Sequence, residues 1–169
     1  MTQLVYHPAL DPYNALLRAC RTLASSQSGL DVTALRILDF LLVFPEKIVA
    51  IRLSPALRAA SKRLKAEPRF PYDRSPSSQA LFRRMGAPFE AAVQTMISRG
   101  LAKVGGASGK LTLDPEAVPA EMLALARGRN DEEPDLMSLL ASLGAEYPSQ
   151  GPNGLKDRSG LAEFRYDVV

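Results

Sequence analysis

The 169-residue chain has one cysteine, one histidine and no tryptophan. A lone cysteine, Cys20, excludes an internal disulfide and any cysteine-built zinc cluster. His7 is the only imidazole, and no second histidine and no HxE or HExxH spacing is present to complete a metal or catalytic site around it. Glycine-loop signatures for nucleotides (GxxxxGK[ST], GxGxxG after a strand) and the GxSxG nucleophile turn are also missing. These absences leave no hardware for hydrolysis, so the expectation is a non-enzymatic protein with no cofactor and no metal. The longest apolar run, Ile37 to Phe44 with Asp39 inside it, is about two helical turns, far short of the roughly 18 residues of a membrane span. The opening MTQLVYHPALD has neither the basic start nor the apolar core of an export signal, and a cytoplasmic location is expected.

What the chain does have is an ordinary globular composition, 46% hydrophobic and 23% charged, with an uneven placement of charge. Arg52 to Arg84 carries nine Lys/Arg against two acids, whereas Asp114 to Glu146 carries eight acids against two arginines. Such an asymmetry suits one face turned to a polyanion or an acidic partner, or simply a solvated helix surface.

Asp11-Pro12 reads as an N-cap followed by proline at the first helical position, and Leu16, Leu17, Cys20, Leu23 and Ala24 continue at helical spacing to about Ser25. A second helix begins near Asp31 or Thr33 and is apolar all round, which predicts a central place in the core until Pro45 ends it. Ser54-Pro55 repeats the cap signal for a third helix with a basic outer face. The segment EPRFPYDRSPSS, Glu67 to Ser78, holds three prolines and is expected to be an irregular connector.

From Ser78 a short helix, SQALFRRMG, is expected to end at Gly86, and another to start at Pro88 with Phe89, Ala92, Val93, Met96 and Ile97 inward. Gly100 closes it, and LAKV, GGASG and KLTL read as a hairpin. Helix, tight turn, helix, hairpin is the order of a winged helix-turn-helix. Two further helices, Pro119 to Gly128 and Pro134 to Leu143, follow, with Asp131 and Glu132 near the start of the second. The expected fold is mainly α with a minor β part: a winged helix-turn-helix with extra N-terminal helices and a short C-terminal strand. Its divisions are a helical region at 1–66, a connector at 67–77, the winged motif at 78–114 and a C-terminal part at 115–169, together one compact unit.

A winged helix raises DNA binding. The outward residues of its second helix, however, are Glu90, Ala91, Gln94, Thr95, Ser98 and Arg99, and the wing offers only Lys103 and Lys110. Phosphate contacts want Lys or Arg, so Glu90 and the alanines at the helix start argue against major-groove reading. The stronger candidate face is Arg58, Lys62, Arg63 and Lys65 with Arg69, Arg74, Arg83 and Arg84, interleaved with Phe70 and Tyr72. It suits a nucleic-acid backbone or an acidic protein partner. His7, with Asp11, is expected in an N-terminal arm whose Tyr6 and Tyr13 pack on the body. Cys20 reads as a small core residue. Asp39 is expected to bond a local partner such as Arg36 or Lys47.

The ordered set YHPALDPYNALLRACR, LRILDFLLVFP, the PYDR connector, RGLAKV and the closing GLKDRSGLAEFRYDVV resembles the middle components of bacterial ABC-three-component, Lamassu-like defence systems. The resemblance implies a winged-helix adaptor that binds an SMC/ABC-type ATPase beside an effector protein, in defence against phage or plasmids. DNA would then be met mainly through the complex. The alternative is a winged-helix transcriptional regulator. Under the family reading, Lys156, Asp157 and Arg158 become a candidate partner contact. Gly154 and Gly160 are expected in turns and Leu161, Phe164, Tyr166 and Val168 in a terminal extended segment that ties the chain end down.

Overall fold

A computed structural model describes residues 7–70 and 77–162. Among these residues the order is α1 (Pro12–Ala24), α2 (Val32–Val43), α3 (Pro55–Leu64), α4 (Ser78–Arg84), α5 (Gly86–Ser98), β1 (Ala102–Val104), β2 (Leu111–Leu113), α6 (Ala120–Glu132), α7 (Pro134–Glu146) and α8 (Leu155–Ser159). Two 3-10 turns, Pro8–Leu10 and Pro45–Ala50, flank α1 and α2. The described residues are mainly helical, with one small antiparallel hairpin.

Helix α2 is the hub. Leu35, Ile37, Leu38, Phe40, Leu41 and Leu42 are essentially inaccessible, because α1, α7, α8 and the Pro45–Ala50 turn surround the helix. Each such side chain contributes about 1.5–3 kcal/mol on burial, so this helix dominates the core. Phe40 stacks on Phe44 at 5.1 Å and meets the edge of Phe82, from α4, at 5.8 Å. Residues on both sides of the proline-rich connector therefore share one hydrophobic cluster.

The caps explain why the elements start where they do. Asp11 accepts from the N–H groups of Tyr13 and Asn14, and Asp31 from Ala34, satisfying donors that open a helix. Ser54 departs from expectation: its hydroxyl caps nothing, and its N–H instead donates to the Tyr147 hydroxyl at 2.7 Å. Tyr13 departs too, standing almost fully exposed at 85% rather than packing on the body.

Helices α4 and α5 are separated by one residue, Met85, so α5 begins at Gly86 rather than Pro88. Gly86 fits at this junction because the Arg36 guanidinium occupies the space a side chain would need. Phe89, Ala92, Val93 and Met96 point inward as expected, but Ile97 is 40% exposed. Gly100, at φ 70°, ends α5 in the left-handed conformation, with the Leu101 N–H donating to the Met96 carbonyl. The hairpin follows with Ala102 opposite Leu113 and Val104 opposite Leu111. Leu30 pairs with the other edge of Leu111, which the sequence pattern does not reveal.

Helix α6 runs through Gly128 to Glu132. Asp131 and Glu132 thus lie in its last turn, not at the start of α7, and Glu132 pairs with Arg129. The stretch from Leu155 to Ser159, between the expected turn glycines Gly154 and Gly160, is the short helix α8, anchored by Leu155 and Leu161 in the core. Tyr6, Tyr72, Arg74 and the expected terminal strand members Phe164, Tyr166 and Val168 lie outside the described residues.

Candidate functional site

The interior of the protein is held by charge as well as by apolar packing. Arg18 and Arg21 leave α1 one helical turn apart, and both are buried. Arg18 donates to both oxygens of Asp39 on α2, at 2.6 and 3.3 Å, and to the carbonyls of Pro8 and Ala9. Asp39 is thus matched by a residue 21 positions earlier, not by Arg36 or Lys47. Burial pushes the Asp39 carboxyl above its ordinary range, and the neighbouring guanidinium pulls the other way. Arg21 reaches the Asn130 side chain at 2.9 Å and Glu133 at 2.7 Å, while Asn130 donates back to the Arg21 carbonyl. This reciprocal pair ties α1 to the α6–α7 corner.

Glu133 is shared: its second oxygen accepts from Arg69 of the connector. Two recesses of about 560 and 610 Å³ meet at this Arg69–Glu133 bridge. Four cations at the junction are engaged, Arg18 with Asp39, Arg21 and Arg69 with Glu133, and Arg129 with Glu132, while Lys65, which also lines the first recess, forms no ion pair among the described residues. His7, Asp11 and Cys20 likewise serve the fold. His7 Nδ1 accepts from the Ala9 N–H and its ring lies 4.8 Å from that of Phe70, and Asp11 caps α1. Cys20 is buried, and desolvation pushes its thiol up to about 11. Among the described residues no group of three His, Cys, Asp or Glu side chains could hold a metal.

The expected basic face divides. Arg58, Lys62, Arg63 and Lys65 are exposed on or just after α3, whose inner side buries Leu57 and Ser61. Arg69 is committed to Glu133 and Phe70 to the rings of His7 and Phe44. Arg83 and Arg84 are exposed on the last turn of a different helix, α4. On α5, Glu90, Ala91, Gln94, Ser98 and Arg99 are exposed and Thr95 is half-buried. Lys103 of the hairpin is bound to Asp114 at 2.6 Å, an ion pair that raises the lysine and lowers the carboxylate.

Lys156, Asp157 and Arg158 form part of an intramolecular clasp. Arg52 donates to the Asp157 carboxylate and carbonyl at 2.8 and 2.9 Å. Arg158 donates to the carbonyls of Arg52 and Asn153, and its guanidinium lies 4.2 Å above the Tyr147 ring. The Asn153 N–H, first, and Arg52, second, hold the Asp157 carboxyl below its ordinary value. Gly154 sits where the chain folds back on itself: a Cβ there would meet the Gln150 carbonyl oxygen at 2.5 Å and that of Pro148 at 2.8 Å. Asp157 and Arg158 therefore spend much of their polar capacity on their own chain.

Fold and surfaces together define a small, mainly helical protein with one hairpin. Among the described residues its charges serve as ties between helices, as a terminal clasp and as exposed cations on α3 and α4. Its family is more specific. Residues 4–167 match the model of the ABC-three component (ABC-3C) system Middle Component 5 family, and the chain belongs to that family. No curated protein and no solved structure matches the chain. It is thus the middle component of a multi-component system, which implies protein partners. Among the described residues no helix is long and apolar enough to cross a membrane.

Proposed function

We propose that this protein is a non-catalytic accessory subunit that docks on an SMC/ABC-type ATPase in a cytoplasmic complex defending bacteria against phage or plasmids. The observation that carries the reading is the family match over nearly the whole chain. ATP hydrolysis and any effector chemistry then belong to the other two components. The residues fit this division of labour: His7, Asp11 and Asp39 are all held in structural hydrogen bonds.

We also propose a winged helix, built on α1, α2 and α5 rather than on the α4–α5 pair expected over 78–114, and its support is the pairing of Leu30 with β2. That contact puts a strand-like residue between α1 and α2 against the hairpin, the order of a winged helix with residues 44–84 inserted before its last helix. The outer face of α5 supports an adaptor over a repressor. It presents Glu90 and Ala91 where base and phosphate contacts would need cations, and one of the two hairpin lysines is neutralised by Asp114.

The test is co-expression of the full chain with the other two components of its system, followed by affinity purification and size-exclusion chromatography. The expected result is a stable complex containing the ATPase, with no sequence-selective DNA binding by the isolated chain. A chain that migrates alone after co-expression refutes the reading. Tight, steeply salt-dependent and selective binding to its own upstream DNA replaces it with the transcriptional-regulator reading.

A further inference from the structure

Arg83, Arg84 and Arg99 are exposed and form no ion pair among the described residues, but at the end of α3 four such cations gather within eight residues: Arg58, Lys62, Arg63 and Lys65. Arg58 donates only to the Leu53 carbonyl, at 3.3 Å. At 100° per residue, exposed Ala59 lies in the middle of the solvent face of α3. Arg63 flanks it on one side, Arg58 and Lys62 on the other. From Arg58 to Arg63 the helix rises only ~7.5 Å, so these cations gather within about two turns on both sides of Ala59, with Lys65 just past the helix end.

Exposed Lys and Arg suit phosphates and carboxylates alike, so the choice between a nucleic-acid backbone and an acidic protein rests on what surrounds these cations. Helix N-termini attract phosphate, but the cations gather toward the C-terminal end of α3. At its N-terminus the Ser54 N–H is already taken by Tyr147. The other elements of a nucleic-acid face are spent elsewhere: Arg69 on Glu133 and the Phe70 ring on His7 and Phe44, so Phe70 does not offer a base-stacking platform. What remains is a helix surface with an alanine at its centre and cations on both flanks. That arrangement admits a second helix at close range and meets carboxylates one turn apart, matching Arg58 and Lys62.

We infer that the outer face of α3 is the docking site for an acidic helix of a protein partner, recognised by Arg58, Lys62 and Arg63. The inference rests on the accessory-subunit reading and adds the location and the chemistry of the contact. It separates this face from the α4 arginines, which lie on another helix and serve as an internal control.

The experiment measures binding of the full chain to the purified ATPase component, comparing wild type with Lys62→Glu/Arg63→Glu. Controls are Arg83→Glu/Arg84→Glu and the charge-preserving Lys62→Arg/Arg63→Lys. All four side chains are exposed, and unchanged circular dichroism and melting confirm that each variant folds. Reversal on α3 is expected to weaken binding by about tenfold or more, with a slower on-rate and a shallower salt dependence. The two controls keep wild-type affinity. Wild-type binding that the α3 reversal leaves unchanged overturns this inference and spares the accessory-subunit reading. Failure of the wild type to bind either other component overturns both. Binding of the isolated wild type to a short DNA duplex, lost on α3 reversal, assigns the face to nucleic acid and overturns the inference.

Discussion

Removing one member of the Arg18–Asp39 pair tests the account of the interior most sharply. Asp39 is 1% exposed and Arg18 9%, and the contact between them is 2.6 Å, so both charges have been taken out of water. Asp39→Ala leaves the Arg18 guanidinium buried without its counter-ion. Breaking a buried pair in this way costs about 3–5 kcal/mol, a large part of the roughly 5–15 kcal/mol that keeps a domain folded. For a chain of this length that is a fall in melting temperature of ~6–20 °C, at about 2–4 °C per kcal/mol. The double variant Arg18→Met/Asp39→Leu removes both charges at similar volume and is expected to be more stable than either single variant. It does not regain everything, because the hydrogen bonds from Arg18 to the carbonyls of Pro8 and Ala9, at 3.2 and 3.4 Å, are lost with the guanidinium. Urea unfolding of wild type, both singles and the double gives the coupling energy, provided the m-values agree. Additive single effects, or a loss below about 1 kcal/mol in Asp39→Ala, would refute the claim that this pair is a desolvated unit.

Two further predictions concern the clasp. Gly154→Ala places a methyl group against backbone atoms of Gln150 and Pro148 at 2.5–2.8 Å, which cannot rotate away, so a loss of about 1–3 kcal/mol is expected. Hydrogen exchange should show it first in 147–161. Asp157, whose carboxyl is held below its ordinary value of 3.8, stabilises the folded clasp fully above that pH, and the contribution disappears as pH falls through the lower folded-state value. Acid should therefore loosen Arg52 from Asp157, and Asp157→Asn should flatten that part of the stability profile. Asp39, pushed upward by burial, contributes the opposite slope, since its protonation favours the folded state.

Much of the local architecture was legible without coordinates. Asp11-Pro12, Asp31 and Pro55 mark three helix starts to within a residue or two, and Gly100 followed by LAKV marks the end of α5 and the entry to the hairpin. These signals are legible because they act through neighbouring atoms: a side-chain oxygen meets an N–H two or three residues on, and a proline sets its own φ. Gly128 and Gly86 misled for the complementary reason. Glycine lowers helix propensity by only about 1 kcal/mol, which tertiary packing overrides, so α6 runs on to Glu132 and α5 begins at Gly86 itself.

The interaction surfaces were legible only in outline. The chain showed that cations gather between Arg52 and Arg84, but not which of them already have partners. Arg69 is answered by Glu133, sixty-four positions away, and Arg52 by Asp157, more than a hundred positions away. A stronger hint was present in α1, where Arg18 and Arg21 sit one turn apart beside Leu17, Cys20 and Leu23. Charges on an apolar stripe require buried counter-ions.

By itself, the sequence determined a mainly helical chain with a hairpin, an apolar second helix at its centre and a single cysteine that cannot form an internal disulfide. Periodicity, capping and composition are local properties and can be read locally. Only the tertiary structure decided that Asp39 answers Arg18, that the final helix is strapped to Arg52, and that the cations of α3 are left facing outward. Those are pairings across the chain. A charge becomes a tie or an exposed contact according to what the fold brings within about 4 Å of it, and the residue alone does not carry that information.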